Sequence, residues 1–420
     1  MNIWITQDGE PLPAVDDSSR YWRCGILARE LVKRGHQVVW WASTFDHARK
    51  QFWFERACAM EPIPGMKLRL LHGPGYYNNR SFRRIRHQRK LGAEFTKGSR
   101  GECQPDLIFS SLPTLELAQQ ALTYGINGGV PVIVDVRDLW PDHYLTLVPR
   151  VLRGVFRLLL FTEFKKARFI LKSASGITAI SRAFLDWGLN YAARGASSKD
   201  GVFEMGYPST DFIGRHPQVD EKCLGAHYGI EADAMNITFV GSVNSIFDFS
   251  TVIRAARHFS ISNSRIKFVI VGDGTNFHQV RSAAKPLSNV TVTGRLDKES
   301  VSAILNLSSI GLSPHKEGRS INGALPNKSF EYMAAGLPML SSLRGELENL
   351  LCMEKIGRQY LAGSVDSLIK QIHWFAEHPI ERKDMGLKSK ELFRKKFCAE
   401  VIYPKLVNHL EGVAVDRAGR

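Results

Sequence analysis

The stretch Gly318-Arg-Ser-Ile-Asn-Gly-Ala-Leu-Pro-Asn-Lys-Ser-Phe-Glu-Tyr-Met-Ala-Ala-Gly-Leu-Pro338 reads as a loop that runs into one short helix. The helix is expected to start near Asn327 and to stop at Gly336, since glycine is the residue that most readily ends a helix in the left-handed conformation. Apolar runs at Ile310 to Leu312 and Met339 to Ser341 flank it as buried strands. A strand, a crossover helix and a second strand imply a right-handed connection and parallel pairing. Free backbone N–H groups at the helix start, together with Lys328, would meet an anion there, the geometry that holds phosphate without a metal. Glu331 sits one turn in, where a carboxylate can accept two hydrogen bonds from the vicinal hydroxyls of a ribose. A P-loop does not fit, because Asn327 stands where that pattern needs glycine before Lys328-Ser329.

The same alternation extends outward in both directions. Upstream in the second half lie strand-like runs at Ile237 to Val240, Lys267 to Val271 and Val290 to Thr293. In the first half, Asn2 to Thr6, Gln37 to Ala42, Lys67 to Leu71, Asp106 to Ser110, Val130 to Asp135 and Gly176 to Ile180 read as buried strands with helices between them. The clearest of those helices is Ser18 to Arg34, with Ile26, Leu27, Leu31 and Val32 on one stripe and Gly35 as its stop. Two α/β halves follow: residues 1–212, residues 213–390, and a basic helical tail, 391–420, that is a candidate to pack back on the first half. Sheets of this kind bind ligands at the carboxyl ends of their strands, and a cleft between two such domains is the natural site.

A chain of 420 residues with 44% apolar and 23% charged residues has the composition of a folded protein with sizeable cores. Its net charge of +15 calls for a polyanionic partner. Residues 78–100 and 148–172 together hold fifteen cations against Glu94 and Glu163, a net +13 of that +15. The second segment interleaves its cations with Phe156, Leu159, Leu160 and their neighbours, as a helix at a lipid interface does. An anionic membrane surface is therefore favoured. Nucleic acid is not expected, because no zinc-finger spacing or RNP-like aromatic pattern accompanies the charge. No run of about 18 apolar residues could span a bilayer. Met1 is followed at once by the strand-like Asn2-Ile-Trp-Ile5, so a signal peptide is not expected. The expected location is cytoplasmic, peripheral on the inner face of the cytoplasmic membrane. Six scattered cysteines without CxxC spacing argue against disulfides and zinc.

Leu325-Pro-Asn-Lys-Ser-Phe-Glu-Tyr-Met-Ala-Ala-Gly-Leu-Pro338 resembles the nucleotide-sugar loop of the retaining family 4 ("group 1") glycosyltransferases, especially the branch that builds bacterial surface polysaccharides. Phe239-Val-Gly-Ser242 resembles the family's opening glycine turn of the second domain, Ile270-Val-Gly-Asp-Gly274 its next strand and turn, and Ser313-Pro-His-Lys-Glu-Gly318 the segment before the donor loop. In the first half, Arg23-Cys-Gly-Ile-Leu-Ala-Arg-Glu-Leu31 and Arg34-Gly-His-Gln-Val38 are similar to the helix and strand behind the acceptor site, and Asp135-Val-Arg-Asp-Leu-Trp-Pro141 to the branch's Asp-Leu-Trp-Pro turn. The resemblance implies a GT-B architecture, two Rossmann-like domains with mostly parallel sheets facing a central cleft. It implies a hexosyl-type transferase that moves a sugar from a nucleotide diphosphate, a UDP-sugar being the expected donor, to a membrane-held polyprenyl-diphosphate-linked saccharide of O-antigen, lipopolysaccharide, capsule or exopolysaccharide. The nucleotide sugar is a substrate, and neither a cofactor nor a metal is expected.

On this reading Lys328, Glu331 and Asp138 are the catalytic candidates. Gly241, Ser242, Gly272, Gly274, Arg295, His315, Arg319, Leu325, Pro326, Asn327, Lys328 and Glu331 line the donor side, and Arg23, Arg137 and Asp138 the acceptor side. Three departures stand out. Gly323 occupies the place of the first of two glutamates that the family often carries. No Arg or Lys follows Gly241 in Ser242-Val-Asn-Ser-Ile-Phe-Asp248, so Lys328 must do more, with Arg295 or Arg319 as helpers. Asp16-Asp-Ser-Ser19 replaces the usual glycine pair near the N-terminus. The rival readings are a GT-B-fold nucleotide-sugar 2-epimerase and a non-catalytic lipid-surface binding protein.

Overall fold

The computed structural model describes residues 1–12, 14–15, 21–78, 81–145, 148–209, 220–262, 265–317, 323 and 325–418. They form two compact units, Met1–Met205 with Ile402–Arg420, and Gly206–Val401.

The first unit is built on eight strands: β1 (Asn2–Thr6), β2 (Gln37–Ser43), β5 (Cys58–Ile63), β6 (Met66–Leu71), β7 (Leu107–Ser111), β8 (Val132–Val136), β9 (Gly176–Ala179) and β10 (Gly201–Val202), with β3 (Phe45–Asp46) and β4 (Gln51–Phe52) forming a separate small hairpin. The order is β10-β9-β8-β7-β1-β2-β6-β5, parallel throughout except for the β5–β6 pair. Strands β7 and β8 are buried at every residue, which is why they read in sequence as continuous apolar runs. The antiparallel edge strand β5 was not legible in that way: it is half exposed and contains Glu61 and Pro62, the composition of an edge.

The second unit has six parallel strands: β11 (Met235–Val240), β12 (Ile266–Val271), β13 (Val290–Gly294), β14 (Ile310–Ser313), β15 (Met339–Ser341) and β16 (Gly357–Gln359), in the order β13-β12-β11-β14-β15-β16. From β11 the chain winds outward through β12 and β13, then returns to the other side through β14. The order therefore reverses between β11 and β14, the place where open α/β sheets leave a crevice at their carboxyl ends.

The helix expected at 18–34 runs from Arg23 to Lys33; residues 18–20 lie outside the described residues. The expected domain boundary, 212/213, also lies outside them. The compact units part earlier, at Met205/Gly206, because Tyr207 pairs with Cys398 in a β-bridge and the Ser209 N–H donates to the Glu400 carboxylate at 3.0 Å. The chain rejoins the first unit at Ile402 rather than at 391. There Arg34 donates to Pro404 O at 3.0 Å, and His36 Nε2 meets Glu411 at 2.8 Å.

Of the basic stretches, residues 82–98 form one helix, and 153–159 and 161–173 two more. Phe156 and Leu160, expected to face a lipid surface, are half-buried, whereas Leu159 is exposed, as are Phe82, Val151, Leu152, Val155, Leu158, Phe161 and Phe169. Among the described residues no helix is long and apolar enough to cross a membrane.

Arg23 pins the first unit together. Its fully buried guanidinium makes two 2.8 Å bonds to the Asp135 carboxylate of β8 and donates to Phe203 O and Glu204 O at 2.8 and 3.0 Å. Thr178 of β9 donates to the same carboxylate at 2.8 Å. Removing one partner would leave the other as an uncompensated buried charge. Arg23→Ala is therefore expected to destabilise the first unit by about 3–5 kcal/mol, measured by urea unfolding followed through the tryptophans; a loss under about 1 kcal/mol, the level of an exposed pair, would contradict this assignment.

Candidate active site

The loops after β11 and β12 run backbone against backbone. Gly241, Gly272 and Gly274 have φ values of 134°, 138° and 155°, which L side chains rarely adopt. A Cβ on Gly272 would overlap the Gly241 carbonyl, and one on Gly274 would lie 2.6 Å from Val243 O. The contact is closed by the Val243 N–H donating to Asp273 O and the Asn276 N–H to Val243 O, both at 2.9 Å.

Helix Asn327–Ala335 lies beside these loops and ends at Gly336, φ 72°. Its Tyr332 hydroxyl donates to Leu312 O at 2.9 Å and accepts the Val240 N–H at 3.0 Å, so one side chain clamps the ends of β11 and β14. Gly311 leaves room for the Tyr332 ring, which a Cβ there would penetrate. This seating buries both Lys328 and Glu331.

The Lys328 Nζ lies 3.8 Å from the Phe239 ring centroid and 3.6 Å from that of Phe247, and among the described residues it has no hydrogen-bond partner. An added Cβ on Gly241 would lie 3.6 Å from it, so the glycine keeps the loop close to the amine. Burial pushes the Lys328 pKa well below the ordinary lysine value, outweighing the attraction of Glu331. His315, beyond the end of β14, is buried with its Nδ1 3.2 Å from Ser313 Oγ and its ring 4.7 Å from Phe247. Burial and the neighbouring Lys328 lower its pKa to about 3, so it stays neutral at physiological pH. A buried amine beside two aromatic faces, at a helix N-terminus and without a partner, is built to receive an anion.

The remaining donor-side candidates occupy the same end of the sheet. Ser242 is exposed next to Gly241, Arg295 is exposed directly after β13, and Leu325, Pro326 and Asn327 lead into the helix. Arg319 lies outside the described residues. Phe239 and Phe247 were missed by sequence reasoning. Phe247 sits in the very stretch that lacks cations, and only its bridge to His315 brings it to Lys328.

In the first unit two expectations are corrected. Arg23 is consumed by Asp135 and is not available to an acceptor. Arg137 does not extend from its strand end toward a ligand: it bonds Glu10, whose carboxylate accepts the Cys24 and Gly25 N–H groups at the start of helix Arg23–Lys33. Arg23 is fully buried and Arg137 half-buried, each held against its carboxylate. Asp138 is half-buried just beyond β8, and desolvation holds its carboxyl above the usual carboxylate range against the opposing pull of His143, Arg84 and Arg137. Among the described residues no three or more His, Cys, Asp or Glu side chains gather as a metal-binding group.

The architecture is the GT-B fold, two Rossmann-like units with mostly parallel sheets. Residues 226–392, which contain the glycine loops and the Lys328 helix, match the family described as Glycosyl transferases group 1. A curated relative, the putative teichuronic acid biosynthesis glycosyltransferase TuaH of Bacillus subtilis, is 26% identical over 259 residues, 60% of this chain and 56% of that protein. The chain thus spans little more than half the length of that relative. Among solved structures, sucrose-phosphate synthase from Thermosynechococcus elongatus superimposes with a TM-score of 0.75 at 15% identity, covering 99% of both chains. Anabaena Alr3699/HepE in complex with UDP-glucose superimposes with a TM-score of 0.66 at 14% identity, covering 98% of this chain and 100% of that one.

The lysine carries a stability consequence. With its folded-state pKa depressed below 10.5, the unfolded chain binds one more proton between the two values, so the penalty grows as pH falls through that window. Lys328→Met is expected to raise the melting temperature at pH 7 and to flatten its rise with pH, read by scanning calorimetry. A lower melting temperature at pH 7 would mean that the amine stabilises the fold.

Proposed function

We propose that this chain is a retaining, metal-independent glycosyltransferase that transfers a hexosyl group from a nucleotide diphosphate, a UDP-sugar, to a polyprenyl-diphosphate-linked saccharide in surface-polysaccharide synthesis. The observation that carries the reading is the buried Lys328 amine, without a hydrogen-bond partner among the described residues, at the start of a helix that also buries Glu331 one turn later. The family match over residues 226–392 and the teichuronic acid relative support the class of reaction. The UDP-glucose held by the Anabaena protein of the same fold supports the choice of nucleotide.

The barrier in such a transfer is heterolysis of the bond between the anomeric carbon and the diphosphate oxygen. Negative charge collects on the leaving diphosphate, where Lys328 and the helix N–H groups stabilise it without a divalent cation. Burial weakens the hold of the amine on its proton, and the arriving diphosphate favours the charged ammonium. Glu331 holds the ribose hydroxyls. On the same face of the sugar the acceptor oxygen bonds to the anomeric carbon, and the departing phosphate oxygen receives the acceptor hydroxyl proton. Asp138, set at a strand end of the first unit, holds an acceptor hydroxyl.

The acceptor is membrane-held on this reading, and the basic helices of the first unit meet the bilayer. Val151, Leu158 and Phe161 are exposed among Arg150, Arg153, Arg157 and Lys165, an apolar and cationic mixture suited to an anionic interface.

Two measurements test the proposal. Glu331→Ala is expected to weaken UDP binding by about 2 kcal/mol, roughly thirty-fold, in titration calorimetry while leaving the melting temperature near that of the parent; unchanged affinity would remove Glu331 from the site. Reversing Arg83, Arg86, Arg153 and Arg157 to glutamate is expected to release the protein from phosphatidylglycerol vesicles without altering UDP affinity. Equal sedimentation of variant and parent would sink the membrane reading.

A further inference from the structure

The second unit has a cavity at the amino-terminal edge of its sheet, the end away from the glycine loops. It is lined by residues just before β14 and β15, by Gly336 at the end of helix Asn327–Ala335, and by one face of helix Pro379–Leu392. Its volume is about 430 Å³, within the range of roughly 300–1,000 Å³ that holds small ligands. The helical lining recurs at Pro379, Arg382, Lys383, Gly386, Leu387 and Lys390, the three-and-four spacing of a single face. Gly386 is what brings that face in: a Cβ there would collide with the Gly336 carbonyl, so the helix rests on backbone and leaves its cations at the rim.

Three cations and no carboxylate line this cavity. Elsewhere on the same helix and its continuation, lysines find acids: Lys388 meets Asp384 and Lys395 meets Glu391, each at 2.6 Å. Among the described residues Arg382, Lys383 and Lys390 have no ion-pair partner; Arg382 donates to Phe375 O at 3.0 Å and contacts the Met235 sulfur. The carboxyl end of helix Asn327–Ala335 supplies about half a negative charge, which offsets only part of one cation. Basic groups held together around a ligand-sized hollow, with Asp384 and Glu391 of their own helix paired to other lysines, leave a positive charge that suits an anion.

We infer that this cavity is a second anion site, separate from the Lys328 site, and that it takes a phosphate ester whose phosphoryl oxygens meet Lys383, Lys390 and Arg382 while its organic part lies along Leu387. Such an ester arrives either as a soluble sugar phosphate or as the headgroup of an anionic lipid.

The test uses the full chain in the Lys328→Ala background, so that the first site contributes little, and compares it with the same protein carrying Lys383→Gln and Lys390→Gln. Lys383 is exposed and Lys390 half-buried, and glutamine keeps most of each side chain, so the fold is expected to persist, checked by an unchanged melting temperature. Glucose 1-phosphate is titrated at physiological salt, and vesicles of phosphatidylcholine with and without phosphatidylglycerol are sedimented in parallel. Binding of glucose 1-phosphate that weakens at least tenfold in the double substitution supports the site with a soluble ligand. A tenfold loss confined to the phosphatidylglycerol vesicles supports it with a lipid-borne ligand. Absence of binding in both arms, or binding that the double substitution leaves unchanged, overturns the inference.

Discussion

The Tyr332 hydroxyl holds the ends of two neighbouring strands at once, and the candidate donor site depends on that clamp. By donating to Leu312 O and accepting from the Val240 N–H it seats helix Asn327–Ala335 against the point where the strand order of the second sheet reverses. Only in that seat does the first turn of the helix carry Lys328 under Gly241 and between the rings of Phe239 and Phe247. The glycines of the two loops then serve one purpose, which is to let backbone lie where side chains would otherwise stand. The seating leaves the amine dehydrated, and burial lowers its pKa below the ordinary lysine value.

The first unit is held by a different principle. Its buried charges come as pairs: Arg23 with Asp135, and Arg137 with the Glu10 carboxylate that also caps helix Arg23–Lys33. Two guanidinia that look like ligand-binding groups in the sequence are thus committed to the architecture, fixing one helix against β8 and β9. Asp138, just beyond β8, is half-buried, and desolvation raises its carboxyl pKa against the pull of His143, Arg84 and Arg137.

The surplus positive charge is uneven in how it is used. On the basic helices of the first unit, cations stand beside exposed valine, leucine and phenylalanine, a mixture that suits an interface between water and lipid. In the second unit, cations on one helix face surround a hollow and lack acids, while those on its other faces are paired. The two arrangements carry the same sign but differ in shape, one a mixed apolar and cationic surface and the other a hollow.

Much of this was legible in the chain itself. Mostly buried parallel strands read as apolar runs, so eleven of them could be placed to within a residue or two, as could the helix from Asn327 to Gly336. The pairing of Lys328 and Glu331 on one turn is also a property of spacing alone. The edge strand β5 was not legible, because one-sided burial with Glu61 and Pro62 erases the apolar signal. Nor could local sequence reveal that Arg23 and Arg137 face inward, since Asp135 lies 112 positions from the one and Glu10 127 positions from the other. Periodicity records how each residue stands relative to its own helix or strand. Which charges neutralise one another, and which are left to meet a ligand, is decided by long-range contacts that exist only once the sheets have formed.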